Sequence, residues 1–308
     1  MISVTFYKGN RLVLGIKTEK GILDVEAASM KFPSINNVSR SVYDLITEGE
    51  NLQQKISRLI GASLREDSLI LEEASLDYGP CVPEPQNIIC IGLNYKKHAE
   101  ECNMTFPAAP IIFSKFNNTI NAHEKEIMLP KHSSQVDYEA ELAIIIGKKA
   151  RNVKKEDALS VVYGYCNAND VSARDLQSQS SQWLLGKTSD GFCPIGPYLV
   201  SKEEVGDPND LNIVSYVNGE IRQNSNTSDM IFSCEELISY ISEHITLQPG
   251  DIILTGTPEG VILGFPEEKR VWLKNGDVVK VKIDKLGKLS NTFKTEKDLK
   301  STSVNGLK

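Results

Sequence analysis

The stretch Asp137-Tyr138-Glu139-Ala140-Glu141-Leu142-Ala143-Ile144-Ile145-Ile146-Gly147 decides how this chain folds. Read as a strand, it puts Glu139 and Glu141 on one face, because strand side chains alternate with period two. The apolar run Leu142 to Ile146 reads as core, so at least one of the two glutamates lies where water is scarce. Like charges side by side in such a place are unfavourable unless something positive sits between them. A divalent cation meets that need.

Around this stretch the pattern is mostly β. Strand-like runs recur at Ile88–Gly92, Val161–Cys166, Leu199–Val200, Ile213–Val217, Ile252–Thr255 and Val278–Ile283, and Asn218-Gly219 between two such runs signals a hairpin. Period-3.6 patterns predict helices at Lys155–Val161 and Ser233–Ile245. Residues 1–80 alternate short β-like runs (Val4–Phe6, Leu12–Ile16, Ile22–Asp24) with a helical stretch around Val42–Ile60. Three prolines in Pro80–Pro85 then read as an extended linker. The polar, lysine-rich stretch from Thr295 to Lys308 has little to bury and is expected to fray. The sequence thus divides into a small N-terminal domain (1–80), a β-rich catalytic domain (81–294) and a polar tail (295–308).

Composition narrows the function classes. A net charge of −7 leaves no basic face for a phosphate backbone, so nucleic acid is not an expected partner. No apolar run is long enough to span a bilayer. The N-terminus reads as a strand without the order of a secretion signal, so the cytoplasm is the expected location. The six cysteines are scattered, with neither a C-x-x-C pair nor zinc spacing, and read as reduced thiols. Cys102 alone lies close to a histidine of interest.

Four groups carry chemistry. Asp170, in Asn169-Asp170-Val171-Ser172-Ala173-Arg174-Asp175, follows a strand-like run about thirty residues after the paired glutamates. Three carboxylates without a neighbouring histidine or thiolate make an all-oxygen ligand set that suits Mg²⁺ or Mn²⁺. The alternative is an exposed glutamate pair and Asp170 as a helix cap. On a helix, His98 and Glu101 lie three apart and can touch, which holds an imidazole in one tautomer for general base work; an exposed charged helix gives the same spacing. Lys187, beside the Trp-bearing segment Gln182-Trp183-Leu184-Leu185-Gly186, is either an anchor for an anionic substrate or a surface lysine. The turn Thr255-Gly256-Thr257-Pro258-Glu259-Gly260-Val261 offers backbone N–H groups to an anion, or is a plain turn.

Six segments in order, G-L-N-Y-K-K-H-A-E-E, D-Y-E-A-E-L, N-D-V-S-A-R-D, G-K-T-S-D-G-F, V-N-G-E and T-G-T-P-E-G-V, resemble the fumarylacetoacetate hydrolase family. The resemblance runs from about Pro85 to Phe293. It implies a mixed, β-rich (α+β) fold with a β-roll catalytic domain behind a small N-terminal α+β domain, assembled as a homodimer and loaded with Mg²⁺ or Mn²⁺. It implies Glu139, Glu141 and Asp170 as metal ligands, His98 and Glu101 as a catalytic dyad on a lid, and Lys187 as a catalytic cation. Gln177 and Thr257 match substrate-binding positions. Three carboxylates and one divalent ion leave the site at −1, so a dianionic substrate needs cations: Lys187 first, then Lys115 and Arg174.

The expected activity is cleavage of a C–C bond in a small 2-oxo acid, by hydrolysis of an acylpyruvate or decarboxylation of oxaloacetate through a metal-bound enolate. The same enolate supports an isomerase of the hydroxymuconate type or a keto–enol isomerase. The dyad tilts the reading toward hydrolase or decarboxylase, because an isomerase needs no activated water. A non-catalytic binding or scaffold protein on the same fold is the rival class.

Overall fold

The computed structural model describes residues 1–35 and 41–295. In the N-terminal segment, β1 (Ile2–Lys8), β2 (Arg11–Thr18) and β3 (Gly21–Asp24) pair antiparallel in order. Asp24 then caps α1 (Val25–Lys31) by accepting a hydrogen bond from the Ala27 N–H. The helical stretch expected over 42–60 is two helices, α2 (Val42–Glu48) and α3 (Glu50–Ser63). Gly49 separates them at φ 54°, a left-handed conformation that interrupts a helix and that glycine adopts without a Cβ clash. β4 (Ile70–Leu71) closes this segment against β3.

The chain continues through β5 (Ile88–Gly92), α4 (Lys96–Glu101), β6 (Ile111–Lys115), β7 (Ile120–Asn121), β8 (Glu126–Met128) and β9 (Val136–Asp137). Next come β10 (Ala140–Ile146), β11 (Val162–Asn169), β12 (Ser172–Ala173), α5 (Arg174–Gln177), α6 (Leu184–Lys187), β13 (Cys193–Ser201) and α7 (Lys202–Val205). Last are β14 (Asn212–Val217), β15 (Glu220–Asn226), α8 (Cys234–His244), β16 (Ile252–Leu254), β17 (Val278–Ile283) and β18 (Lys288–Lys294). The Lys155–Val161 helix is of the tighter 3₁₀ type. Asn218 and Gly219 both take positive φ between β14 and β15, the turn that an Asn-Gly hairpin demands. Of the tail, residues 296–308 lie outside the described residues.

The principal sheet runs β4-β3-β2-β1-β13-β11-β10-β16-β5-β6, so the N-terminal strands extend the catalytic sheet through the β1–β13 pairing. A second sheet, β15-β14-β17-β18-β8, packs beside it. β10 is buried along its whole length, and its side chains alternate between two cores: Leu142, Ile144 and Ile146 on one face, Ala143 and Ile145 on the other. A strand covered on both faces needs apolar residues at every position, which accounts for the unbroken run. The Pro80–Pro85 stretch is no solvated linker, because Cys81 and Val82 are buried in the second of these cores.

β10 is antiparallel to β11 and β16, and β16 is parallel to β5. The start of β10 and the ends of β11, β16 and β5 therefore emerge at one end of the sheet. Asn167 ties this region to the second sheet: its Nδ2 donates to the carbonyls of Gly196 and Leu286, and its Oδ1 accepts from Ile283 N–H. Asn167→Ala strands three buried backbone groups, so urea unfolding should show a loss of about 3 kcal/mol.

Candidate active site

The expected single strand from Asp137 to Gly147 is interrupted. β9 ends at Asp137 and β10 begins at Ala140, because the Glu139 N–H donates to Asn169 Oδ1 and its carbonyl accepts from Asp170 N–H. Both glutamates nevertheless face Asp170, with one ligand oxygen from each of the three within 4.8 Å of the others. All three are buried.

Three cations surround them. Lys187 Nζ bridges Glu139 Oε2 at 2.7 Å and Asp170 Oδ2 at 2.8 Å. Arg174 Nη2 lies 2.7 Å from Glu139 Oε1 and 2.9 Å from Asp137 Oδ2. Lys115 pairs with Asp170 Oδ1 and donates to the Val171 carbonyl. Asp137, Glu139 and Asp170 are thus matched by Lys115, Arg174 and Lys187. Glu141 is the fourth carboxylate and has no cation, only the Gly256 N–H at 2.8 Å.

The charge states follow. Burial works against charge on Glu139, but Lys187 and Arg174 outweigh it and hold this carboxyl far below the usual range. Burial, with Asp170 and Glu139 alongside, pushes Glu141 well above it. Of these carboxyls, Glu141 is the one whose surroundings favour the protonated form. An all-oxygen, carboxylate-rich donor set that lacks one positive charge fits Mg²⁺ or Mn²⁺, with Glu139, Glu141 and Asp170 as ligands.

His98 and Glu101 meet on α4, with Nδ1 3.3 Å from Oε2. Cys102 Sγ lies 3.9 Å from the same nitrogen, so Nε2 is the atom left for a substrate. Burial opposes charge on His98, yet hydrogen bonds with Cys102 and Glu101 outweigh it and raise the imidazole to about 9. Glu101 also accepts from the Gly260 N–H at 3.1 and 3.2 Å and holds α4 down on the turn after β16. The residues leading into α4 are fixed: Asn94 and Tyr95 are fully buried, and Asn94 Nδ2 donates to the carbonyls of Thr255 and Phe232. Met104 and Phe106 beyond it are exposed.

These groups line one cavity of about 130 Å³, which His98, Glu139, Glu141, Lys187, Gln177 and Thr257 all reach. Arg174 also lines it, and its Nη1 donates to Gln177 Oε1 at 3.1 Å. Lys115 does not; its ammonium is buried behind Asp170. The Thr257 hydroxyl donates to the Ala140 carbonyl and accepts from Gln223 Nε2, so it is engaged with the protein. The N–H groups of the glycine turn are met by the protein's own carboxyl groups: Glu141 at Gly256 and Glu101 at Gly260.

Two residues that sequence reasoning missed organise the site. Asp137 accepts from Arg174 Nε and from the backbone N–H groups of Tyr138, Ile262 and Leu263, which pins the loop after β16 to the metal-ligand strand. Its place one turn of the pleat before Glu139 was the available signal. Gln223 Oε1 accepts from Ala140 N–H while its amide holds Thr257 and the Pro258 carbonyl. Nothing local marks that glutamine.

The family model for the fumarylacetoacetate (FAA) hydrolase C-terminal region matches residues 87–294, and the chain belongs to this family of enzymes. Among individual proteins, it is 43% identical over 282 residues to oxaloacetate tautomerase fahd2, mitochondrial, of Xenopus laevis, across 90% of this chain and 85% of that one. Its fold matches a fumarylacetoacetate hydrolase from Exiguobacterium antarcticum with a TM-score of 0.78 at 31% identity, over 96% of this chain and 100% of that one. A maleylpyruvate hydrolase from Sphingobium sp. SYK-6, solved with manganese(II) ion and pyruvate, matches with a TM-score of 0.75 at 30% identity, over 96% and 99%.

The raised pKa of Glu141 fixes a sign. A carboxyl raised in the folded state stabilises below its unfolded pKa, and that contribution is lost as pH rises through the folded value. Metal-free protein should therefore lose thermal stability as pH rises above about 4.5. Glu141→Gln should flatten that slope, keep the fold and abolish Mn²⁺ binding; calorimetry alongside thermal melts checks all three.

Proposed function

We propose that this site forms and discharges the enolate of a small 2-oxo diacid, with oxaloacetate as the first substrate to assay and keto–enol tautomerisation as the first reaction. The observation that carries the reading is the juxtaposition, in one small cavity, of an all-oxygen cation site, the Lys187 ammonium and the His98–Glu101 dyad. A bound Mg²⁺ or Mn²⁺ supplies Lewis acidity toward the 2-oxo group. Lys187 sits against the same carboxylates and offers a second positive charge to the oxygen on which negative charge develops. Arg174, held by Asp137, orients Glu139 and Gln177.

His98 Nε2 moves the proton. In its neutral form it takes one from the carbon next to the 2-oxo group, and as imidazolium it returns one there. Glu101 fixes the ring through Nδ1. In the ketonising direction the enol hydroxyl gives up its proton to solvent, and delivery of a proton from the imidazolium to the carbon gives the keto form and completes a tautomerase cycle. Loss of CO₂ from the enolate-forming substrate would make the same residues a decarboxylase. Water attack on the distal carbonyl of an acylpyruvate, with neutral His98 as base, would make them a hydrolase. The names of the relatives support tautomerisation and hydrolysis as family chemistry, and the oxaloacetate tautomerases at 40–43% identity favour the first.

Several assignments belong to the same reading: metal ligation by Glu139, Glu141 and Asp170, a homodimer, and a cytoplasmic location. No helix among the described residues is long and apolar enough to cross a membrane. The oxaloacetate tautomerase of Xenopus laevis is mitochondrial by name, so cell fractionation is the test of compartment.

Spectrophotometry of oxaloacetate ketonisation with Mn²⁺ tests the reading. His98→Ala should lower kcat by about 10²–10⁴-fold and leave oxalate inhibition nearly intact. Lys187→Ala should weaken oxalate inhibition as well as rate. Full ketonisation activity in His98→Ala would remove the dyad from the chemistry. Because the imidazolium delivers the proton in this direction, the wild-type rate should fall as pH rises toward about 9, and that limb should be missing in His98→Ala.

A further inference from the structure

Trp183 and Phe113 stand edge to face, with ring centroids 5.3 Å apart at 67°. Each ring borders two spaces. On one side is the cavity of about 130 Å³ that holds the carboxylates and Lys187; on the other is an open groove of about 770 Å³ alongside β6. The groove wall is mixed: Ile112, Leu184 and Ile245 give it apolar surface, and Ser114 and Gln182 beside the rings are polar. Small-molecule sites usually measure about 300–1,000 Å³; the inner cavity falls below that range, and the two spaces together fall within it.

The wall is set close to the chemistry. Lys187 Nζ lies 5.0 Å from the centre of the Phe113 ring. Trp183 rests directly on the end of β5, where a Cβ at Gly92 would come within 2.6 Å of the indole. The indole is half-buried, in the loop leading into α6, so its removal opens a passage without cutting a strand.

We infer that the Trp183–Phe113 pair is a partition that sets substrate length: it confines the site to short 2-oxo acids and shuts out acylpyruvates carrying a longer saturated acyl chain. This inference rests on the reading of the cavity as a 2-oxo acid site. Removing the indole joins the cavity that holds the carboxylates to the groove, a length that accommodates a 2,4-dioxo acid head with a longer acyl tail laid along Ile112, Leu184 and Ile245. No ionic contact is lost, since neither ring pairs with a charged group other than Lys187 across the Phe113 face.

The test is calorimetry on the Mn²⁺-loaded full chain with three probes: oxalate, acetylpyruvate and a linear long-chain acylpyruvate. Wild type should bind acetylpyruvate more tightly than the long-chain acid, and Trp183→Ala should shrink that preference by about 10-fold or more. Trp183→Leu should give an intermediate ratio, and it replaces the alanine variant if that variant fails to melt cooperatively. An unchanged ratio in a folded variant that still binds oxalate overturns the partition and leaves the 2-oxo acid site standing. Wild-type protein that binds neither oxalate nor acetylpyruvate overturns the site reading and the partition together.

Discussion

One buried carboxylate lacks a counter-charge, and the rest of the site is arranged around that fact. Asp137, Glu139 and Asp170 each face at least one of Lys115, Arg174 and Lys187, and these pairs neutralise one another in a volume from which water is largely excluded. Glu141 faces only a backbone N–H and two like charges. A structure that maximised stability alone would place an apolar side chain there, since an unpaired buried carboxyl is costly. The deficit is the property that makes the pocket selective for a cation. A divalent ion that displaces the Glu141 proton would turn the site from neutral to positive by one charge, which draws in an anionic acid.

The sheet produces this concentration of charge without long loops. Because β10 runs against β11 and β16, and β16 runs with β5, four chain segments reach the same sheet end, each one strand spacing from the next. The entry to β10 delivers Glu139 and Glu141, the residue just past β11 is Asp170, the turn after β16 brings the N–H groups, and the segment after β5 brings His98 and Glu101. Gly256 shows how tight the meeting is. It sits at φ 97°, where its N–H reaches Glu141 and a Cβ would press on Asn94 at 2.8 Å. Glu101 has two attachments, to His98 and to Gly260, so the position of the lid and the orientation of the imidazole are coupled through one carboxylate.

Much of this was legible in the sequence because it follows from short-range pattern. The Glu139–Glu141 alternation, the i, i+3 spacing of His98 and Glu101, the Asn218-Gly219 turn and the apolar run of β10 each have a local physical signature. Six motifs in family order tied them together. What the sequence did not reveal depends on partners distant along the chain. Lys115 looked like a cation for substrate, but it reaches Asp170 from behind. Thr257 looked free to bind, yet Gln223 and Ala140 take its hydroxyl. The break at Tyr138–Glu139 comes from Asn169, thirty residues away, and the helix split at Gly49 from a single left-handed residue. Cys81 and Val82 in the linker-like proline stretch are buried because β1 joins β13 and draws the N-terminal segment into the same sheet.

The central claim is that Glu141 holds a proton which a metal ion must displace. It can be measured directly as proton release on Mn²⁺ binding, by calorimetry at neutral pH in buffers of different ionisation enthalpy. Coupling of ligand deprotonation to metal binding predicts about one proton released per Mn²⁺ bound by the wild-type protein. Tight Mn²⁺ binding with no proton released would mean that Glu141 is already ionised, and would contradict the account.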